Sequence, residues 1–213
     1  MQNMPMQQLL TLTALTLATG AAHAGWSMTG DVLDGGAVVS LTTAWLAPGD
    51  PDAPFNLSGH SAVDVAVVEA AAGVPAYALD LGEDAATEGS VAWQTLAVAA
   101  GDTLRFDWAF SSVDGEMPDH AFAVLDGQVF TLATGPAASA GAFSHAFDSA
   151  ATVSFAIGVV DTVDVLGVST LSVSGLTLTP AVPEPGSLAL MLAGGAVLWA
   201  RRRAVRPRVV ARP

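Results

Sequence analysis

Carboxylates make up most of the side chains able to do chemistry in this chain, and they fall in close pairs: Asp31 with Asp34, Asp50 with Asp52, Asp114 with Glu116, and Asp161 with Asp164. Loops that combine Asp side chains with backbone carbonyls suit hard, oxygen-seeking cations such as calcium. No pair sits in a full D-x-[DN]-x-[DN]-G loop closed by Glu. A body with nineteen acids produces such pairs by chance, so no metal site and no cofactor is expected; were a structural calcium bound, Asp161 and Asp164, just ahead of the last strand, would be its candidate ligands. Glycoside hydrolysis needs two carboxylates held at a set separation across a sugar cleft, and no motif picks out such a pair. His60, His120 and His145 form neither an i, i+4 pair nor a His-x-Glu cluster, so they read as structural or surface histidines. Ser58-Gly59-His60-Ser61 lacks the Gly-x-Ser-x-Gly pattern of a nucleophile elbow. Phosphate-binding glycine loops are absent. The chain has no cysteine, which removes thiol catalysis, cysteine-based zinc sites and disulfide staples together. No catalytic and no cofactor-binding residue is expected. Trp26, Trp45, Trp93 and Trp108 would stack on sugars where exposed, although Trp93 and Trp108 read as core.

Strands must carry these side chains. Leu104, Phe106, Trp108 and Phe110 alternate with Arg105, Asp107 and Ala109, and a period of two places the four large apolar groups on one buried face. Arg105 and Asp107 share the outer face, where an ion pair contributes at most about 1 kcal/mol. The strand from Val91 to Val98 leads into this one through the breaker Ala99-Ala100-Gly101-Asp102. Asp126-Gly127 between two β-prone runs, 121–125 and 128–132, predicts a type I′ hairpin, because both residues accept positive φ. Val153, Phe155, Ile157 and Val159 alternate in the next strand. Gly175 shifts the alternation of the closing strand, 170–179, which predicts a bulge. Segments 37–45, 62–68 and 76–81 are further strand candidates. The stretch 65–72 is helical by composition, but Gly73 and Pro75 end it early. Eight or nine short strands, a Pro- and Gly-rich loop at 47–54 and no convincing amphipathic helix indicate an all-β, antiparallel β-sandwich.

Both ends differ from this body. Residues 9–18 are apolar and Ala22-His23-Ala24 forms an A-x-A site, so 1–24 reads as a secretory signal peptide whose cleavage, directed by Ala22 and Ala24, leaves Gly25 first. At the other end Val182-Pro183-Glu184-Pro185-Gly186-Ser187 precedes an uncharged run from Leu188 to Ala200, then Arg201-Arg202-Arg203. At about 1.5 Å per residue that run covers roughly 20 Å, short of the usual bilayer core, so length alone leaves a buried soluble helix open. Its flanks favour the membrane: the prolines block a helix entering from one side, and arginines crowd the other in the positive-inside pattern. The expected organisation is a signal peptide (1–24), an extracytoplasmic sandwich (25–182) and a C-terminal segment (183–213). That segment would hold a motif at 183–187, a single short transmembrane helix at 187–200 and an Arg-rich cytoplasmic tail at 201–213, with Arg201, Arg202 and Arg203 as the membrane stop.

The ordered triplet of Val-Pro-Glu-Pro, hydrophobic helix and arginine cluster resembles the PEP-CTERM protein-sorting signal of Gram-negative bacteria. That resemblance implies that Pro183, Glu184 and Pro185 are the sorting motif recognised by an exosortase, a membrane transpeptidase-like enzyme that cleaves the tail. It also implies transit anchored in the inner membrane, followed by residence in the cell envelope or exopolysaccharide matrix. More loosely, Gly30-Asp31 after Trp26, Glu88-Gly89-Ser90, and Gly101-Asp102-Thr103-Leu104-Arg105-Phe106 resemble jelly-roll, galactose-binding-like ectodomains found with this signal.

Charge separates the body from the tail. Between Gly25 and Val182 one cation, Arg105, faces nineteen acids, a net of −18 with histidine neutral, whereas the other six arginines lie from 201 onward. Such a surface repels phosphate backbones, so nucleic acid is not an expected partner. The function expected is that of an exported cell-surface or exopolysaccharide-associated matrix protein with a non-catalytic ectodomain. The alternative is a carbohydrate-binding or weakly hydrolytic glycan-active module with the same address.

Overall fold

A computed structural model describes residues 25–113 and 118–181, together with 190, 193–197, 199 and 201 of the tail. The A-x-A site, Asp114 and Glu116, Pro183, Glu184, Pro185, Arg202 and Arg203 lie outside the described residues.

Two antiparallel sheets face one another. The first contains β1 (Ser27–Thr29), β4 (Val63–Asp64), β5 (Ala86–Val98), β7 (His120–Leu125), β8 (Gln128–Thr134) and β10 (Ala151–Thr162), ordered β1-β5-β10-β7-β8 with β4 also paired to β5. The second contains β2 (Asp31–Asp34), β3 (Val38–Thr42), β6 (Thr103–Ser112), β9 (Ser139–Ala146) and β11 (Ser169–Thr179), ordered β2-β3-β11-β6-β9. The alternation in β6 is realised as expected: Leu104, Phe106 and Phe110 are buried and Trp108 packs half-buried on the same core, while Arg105 and Asp107 are exposed. From the first sheet, Phe155, Ile157 and Val159 meet them. Phe106 stands at the centre, stacked on Phe143 (centroids 4.9 Å apart) and tilted against Phe155 (5.7 Å). Each such fully buried side chain contributes about 1.5–3 kcal/mol through removal of apolar surface from water.

The Asp126-Gly127 turn has φ of 49° and 80°, as a type I′ hairpin requires. Gly175 has φ of 63°, and the β11–β6 register shifts between Ser174 and Thr177, which is the predicted bulge. Three strand expectations change. Segment 62–68 is a strand only at Val63–Asp64; the chain then enters helix α1 (Val65–Ala72). Asp64 caps that helix by accepting the Ala66 N–H at 2.8 Å, and Gly73 closes it in the left-handed region at φ 74°. Val68 and Ala72, with Val74 and Leu79, pack on the outer face of the first sheet against Val91, Phe122, Val124, Ala156 and Val160, forming a second core. Segment 76–81 is turn, with one isolated bridge between Leu81 and Asp84. Segment 37–45 is strand only to Thr42.

The chain crosses from the first sheet to the second at Gly30, where φ is 87° and a Cβ would collide with the Ser90 side chain. The space is used for a polar bolt between the sheets: the Asp31 N–H donates to Ser90 Oγ (2.8 Å), which donates to the Thr42 carbonyl (2.6 Å). At the far end of β11 the Ala181 N–H donates to Asp102 Oδ1 (3.1 Å), so the tail departs beside the β5–β6 turn.

Candidate functional site

The carboxylates that are neighbours in sequence do not act as pairs. Asp31 is buried and fully engaged, accepting from the Leu57 and Ser58 N–H groups, from Ser58 Oγ (2.7 Å) and from the Thr42 hydroxyl, so it pins the 50s loop to β2 and β3. Asp34 is exposed at the β2–β3 hairpin, its Oδ1 accepting the Gly36 N–H at 2.8 Å. Asp50 and Asp52 are adjacent: the Asp52 N–H donates to Asp50 Oδ1 (3.0 Å). Burial first, then the Asp50 charge, pushes the Asp52 carboxyl above its ordinary range. Asp164 is half-buried, and its Oδ1 accepts the Leu166 N–H (2.9 Å).

Asp161 behaves differently. It is fully buried on the face of β10 that carries Phe155, Ile157 and Val159. The β10–β5 register shifts between Val160 and Thr162, which sets Asp161 opposite Thr87 and Glu88. Neither oxygen of the Asp161 carboxylate has a well-formed hydrogen bond, the Thr43 hydroxyl giving only a weak contact. Burial, then the nearby Asp119 charge, pushes this carboxyl up to about 9, against a smaller opposing pull from the Thr43 hydroxyl. Glu88 is pushed up to about 7 by burial and then by Asp52 and Asp50. Asp119, in contrast, accepts from the Thr162 N–H (3.1 Å), Ser169 Oγ (2.7 Å) and Ser112 Oγ (3.2 Å). One end of the sandwich thus gathers acids from four separate stretches of chain. The sequence pairing of Asp161 with Asp164 missed this, because the partners Glu88 and Asp119 are distant in sequence. Among the described residues no three His, Asp or Glu side chains converge as metal ligands. Between Asp161 and Asp164 the β-branched Val163 is held at φ 76°, a strained conformation for such a residue.

The histidines divide by burial. His120 is buried with its Nδ1 3.4 Å from Thr162 Oγ1, and burial depresses it to about 4, so it is a neutral core residue at ordinary pH. His60 is exposed, and His145 lies among the rings of Phe130 and Phe147.

Two clefts open nearby. The larger, about 660 Å³, runs between the β1–β2 crossing and the 57–63 segment, with Met28, Leu33, Leu57 and His60 on its walls. The second, about 430 Å³, lies where β3 begins and β11 continues past it. Trp26, Asp34, Val39, Val173 and Leu176 line it, and Gln94 forms part of the same lining. Trp26 is half-buried, its indole leaning on Phe155 with ring centroids 5.6 Å apart. Gln94 is 5% exposed, and neither its amide nitrogen nor its amide oxygen has a hydrogen-bond partner. Strand parity carried a signal for it: in the run 91–98, Gln94 shares its face with Ala92 and Val98, both of the inter-sheet core.

The PEP-CTERM protein-sorting motif matches residues 181–204, the stretch that holds Pro183, Glu184, Pro185 and the three consecutive arginines. No curated protein matches the chain. Among solved structures, a family 61 carbohydrate-binding module in complex with β-1,4-galactotriose is similar at 9% identity, covering 74% of this chain and 89% of that one with a TM-score of 0.34. A family 16 carbohydrate-binding module is similar at 13% identity over 50% of this chain and 82% of its own length, TM-score 0.29. A family 4 module matches at 12% identity over 43% and 61%, TM-score 0.25. Superposition at this level is loose, and the two-sheet antiparallel pairing itself defines the fold.

Proposed function

We propose that this chain is an exported cell-surface or extracellular-matrix protein, processed at its C-terminus by an exosortase, whose β-sandwich is a non-catalytic cargo. The sorting-motif match over 181–204 is the observation that carries this reading. Residues 190, 193–197, 199 and 201 are helical and exposed, the state of an apolar segment that has no place in either core of the sandwich. Among the described residues no helix is long and apolar enough to cross a membrane. The apolar run in the sequence reaches membrane length only with help from its flanks, through arginine side chains that snorkel toward the headgroups. A short, marginal anchor followed by cations suits a segment that is held in the inner membrane during transit and then removed. In the Ser58–His60 turn the Ser58 Oγ is committed to Asp31.

The test is replacement of Pro183, Glu184 and Pro185 by alanine in a host that encodes an exosortase. The parent protein is expected to lose its tail and reach the surface fraction. The triple variant is expected to keep its full length and stay with the inner membrane. Identical size and location for the two would sink the proposal.

A further inference from the structure

We propose that strand β9 is the interface of a homodimer, pairing edge to edge and antiparallel with β9 of a second copy of this chain. An edge strand carries a row of N–H and C=O groups that its own sheet leaves unused. Folds ordinarily blunt such edges with short strands, charged side chains, proline or bulges. The flank formed by β1 and β2 follows that rule, with edge strands of three and four residues joined by the crossing at Gly30. Strand β9 does not. It runs for eight residues in unbroken register with β6, and among the described residues it pairs with no other strand. It holds no charge and no proline, and six of its eight residues are exposed.

Charge selects the occupant. Residues 127–147, which take in β8, β9 and the connection between them, contain no Asp, Glu, Lys or Arg, the longest such run in the body. The two strands share one flank, tied by Phe130, whose ring centroid is 5.3 Å from that of Phe143 and 6.1 Å from that of His145. A body of net charge −18 repels a copy of itself over most of its surface, and on this flank two copies approach without bringing carboxylates together. A basic partner would be drawn to the acidic surfaces instead.

A two-fold axis through Phe143 supplies a register that fits. It sets Ala142 opposite Ser144 of the second copy, and Gly141 opposite His145, so that the imidazole lies across a residue without a side chain. Strand β6 holds Arg105 level with Ser144 and Asp107 level with Ala142. The same axis therefore puts each Arg105, the only cation of the body, level with Asp107 of the second copy on the outer face. On the inner side the half-buried Phe143 rings of the two copies meet, each beside its own Phe130. The contact is narrow, and a dissociation constant on the order of 10–100 μM is expected.

The chain has no cysteine, so introduced cysteines can read the register. Full-length Ala142→Cys and Ser144→Cys proteins, both changed at exposed outer-face positions of β9, are oxidised at about 100 μM in detergent with micelles in excess over protein, beside Leu33→Cys on the opposite flank. Across the axis, positions 142 and 144 of different copies fall within the roughly 4.4–6.8 Å Cα separation a disulfide requires. Each position is diagonal to its own copy, about 7–8 Å away. An equal mixture of the two β9 variants is expected to cross-link at least about fivefold faster than either alone, with Leu33→Cys at background. Light scattering of the parent is expected to rise from one chain toward two between about 5 and 500 μM. A mixture that cross-links no faster than its components overturns the proposal, and so does a parent that stays monomeric throughout. Leu33→Cys cross-linking as fast as the mixture would assign association to the apolar tails and overturn it as well. None of these readouts depends on tail cleavage, so failure of the dimer and failure of sorting are told apart.

Discussion

Asp161 concentrates the chain's electrostatic tension in one side chain. Its ordinary carboxyl value is 3.8, and in the folded protein burial and Asp119 raise it to about 9. Between those two values the folded state holds a proton that the unfolded state has released. The stability linked to this group is therefore complete below about pH 4 and is lost as pH rises toward 9. Glu88 acts in the same direction over a narrower window, from its ordinary 4.5 to about 7. His120 acts in the opposite direction: lowered from 6.5 to about 4, it costs stability as pH falls through that interval. Asp161→Asn removes the widest of these windows while keeping the side chain's shape. It is expected to raise the melting temperature at pH 8, on the order of a few kcal/mol of stability, and to flatten the decline between pH 6 and 9. Thermal melts across that range would show it, and a variant whose slope equals the parent's would remove Asp161 as the cause. None of this was legible from the Asp161–Asp164 spacing, because the carboxyl is raised first by burial between the sheets and then by Asp119, and only the pairing of β7, β10 and β5 produces either.

The elements explain which parts of the fold could be anticipated. Strands β6, β10 and β11 are legible because large apolar residues recur at every second position, and β7 and β8 because Asp126-Gly127 joins two β-prone runs. Strand β9, Ser139–Ala146, pairs with β6 at a sheet edge and holds one large apolar residue, Phe143, among small and polar ones, so it has no such alternation. What it supplies is room: a Cβ on Gly141 would press within 2.7 Å of the Trp108 ring. Segment 62–72 shows the opposite ambiguity, since a Val- and Ala-rich run fits strand or helix alike, and the decision rests on its two ends. Asp64 supplies the N-cap and Gly73 the left-handed C-cap. Asp64→Ala is accordingly expected to cost about 1 kcal/mol, measured by chemical denaturation, while Asp64→Ser or Asp64→Asn should retain most of that stability. Equal losses in all three would mean that the residue matters through its β4 pairing with Glu88 rather than as a cap. The Gln94 cleft was half legible: parity turns Gln94 inward, but only the register of β3 against β11 shows that the cavity there stays open.

At the scale of the molecule, the two ends of the sandwich differ. The tail leaves beside Asp102, whereas the loops at the opposite end, around Trp45, Leu46, Val113, Val165 and Leu166, expose apolar side chains next to the buried acids. The acids have almost nothing to pair with, since Arg105 is the sole basic residue of the body and is itself exposed. Nineteen acids against one cation oppose the compact state by self-repulsion, and mobile ions relieve that repulsion without binding any particular site. Raising ionic strength from about 0.01 to 0.15 M shortens the screening length from about 30 to 8 Å, below the width of the domain. The melting temperature at pH 8 is expected to climb by a few degrees over that range, equivalent to about 1 kcal/mol. Sodium and choline chloride should act alike, because screening depends on ionic strength and not on cation identity. A rise confined to one cation would point instead to a specific ion site among the carboxylates, and no rise in either would show that the acids are already far enough apart to be indifferent to one another.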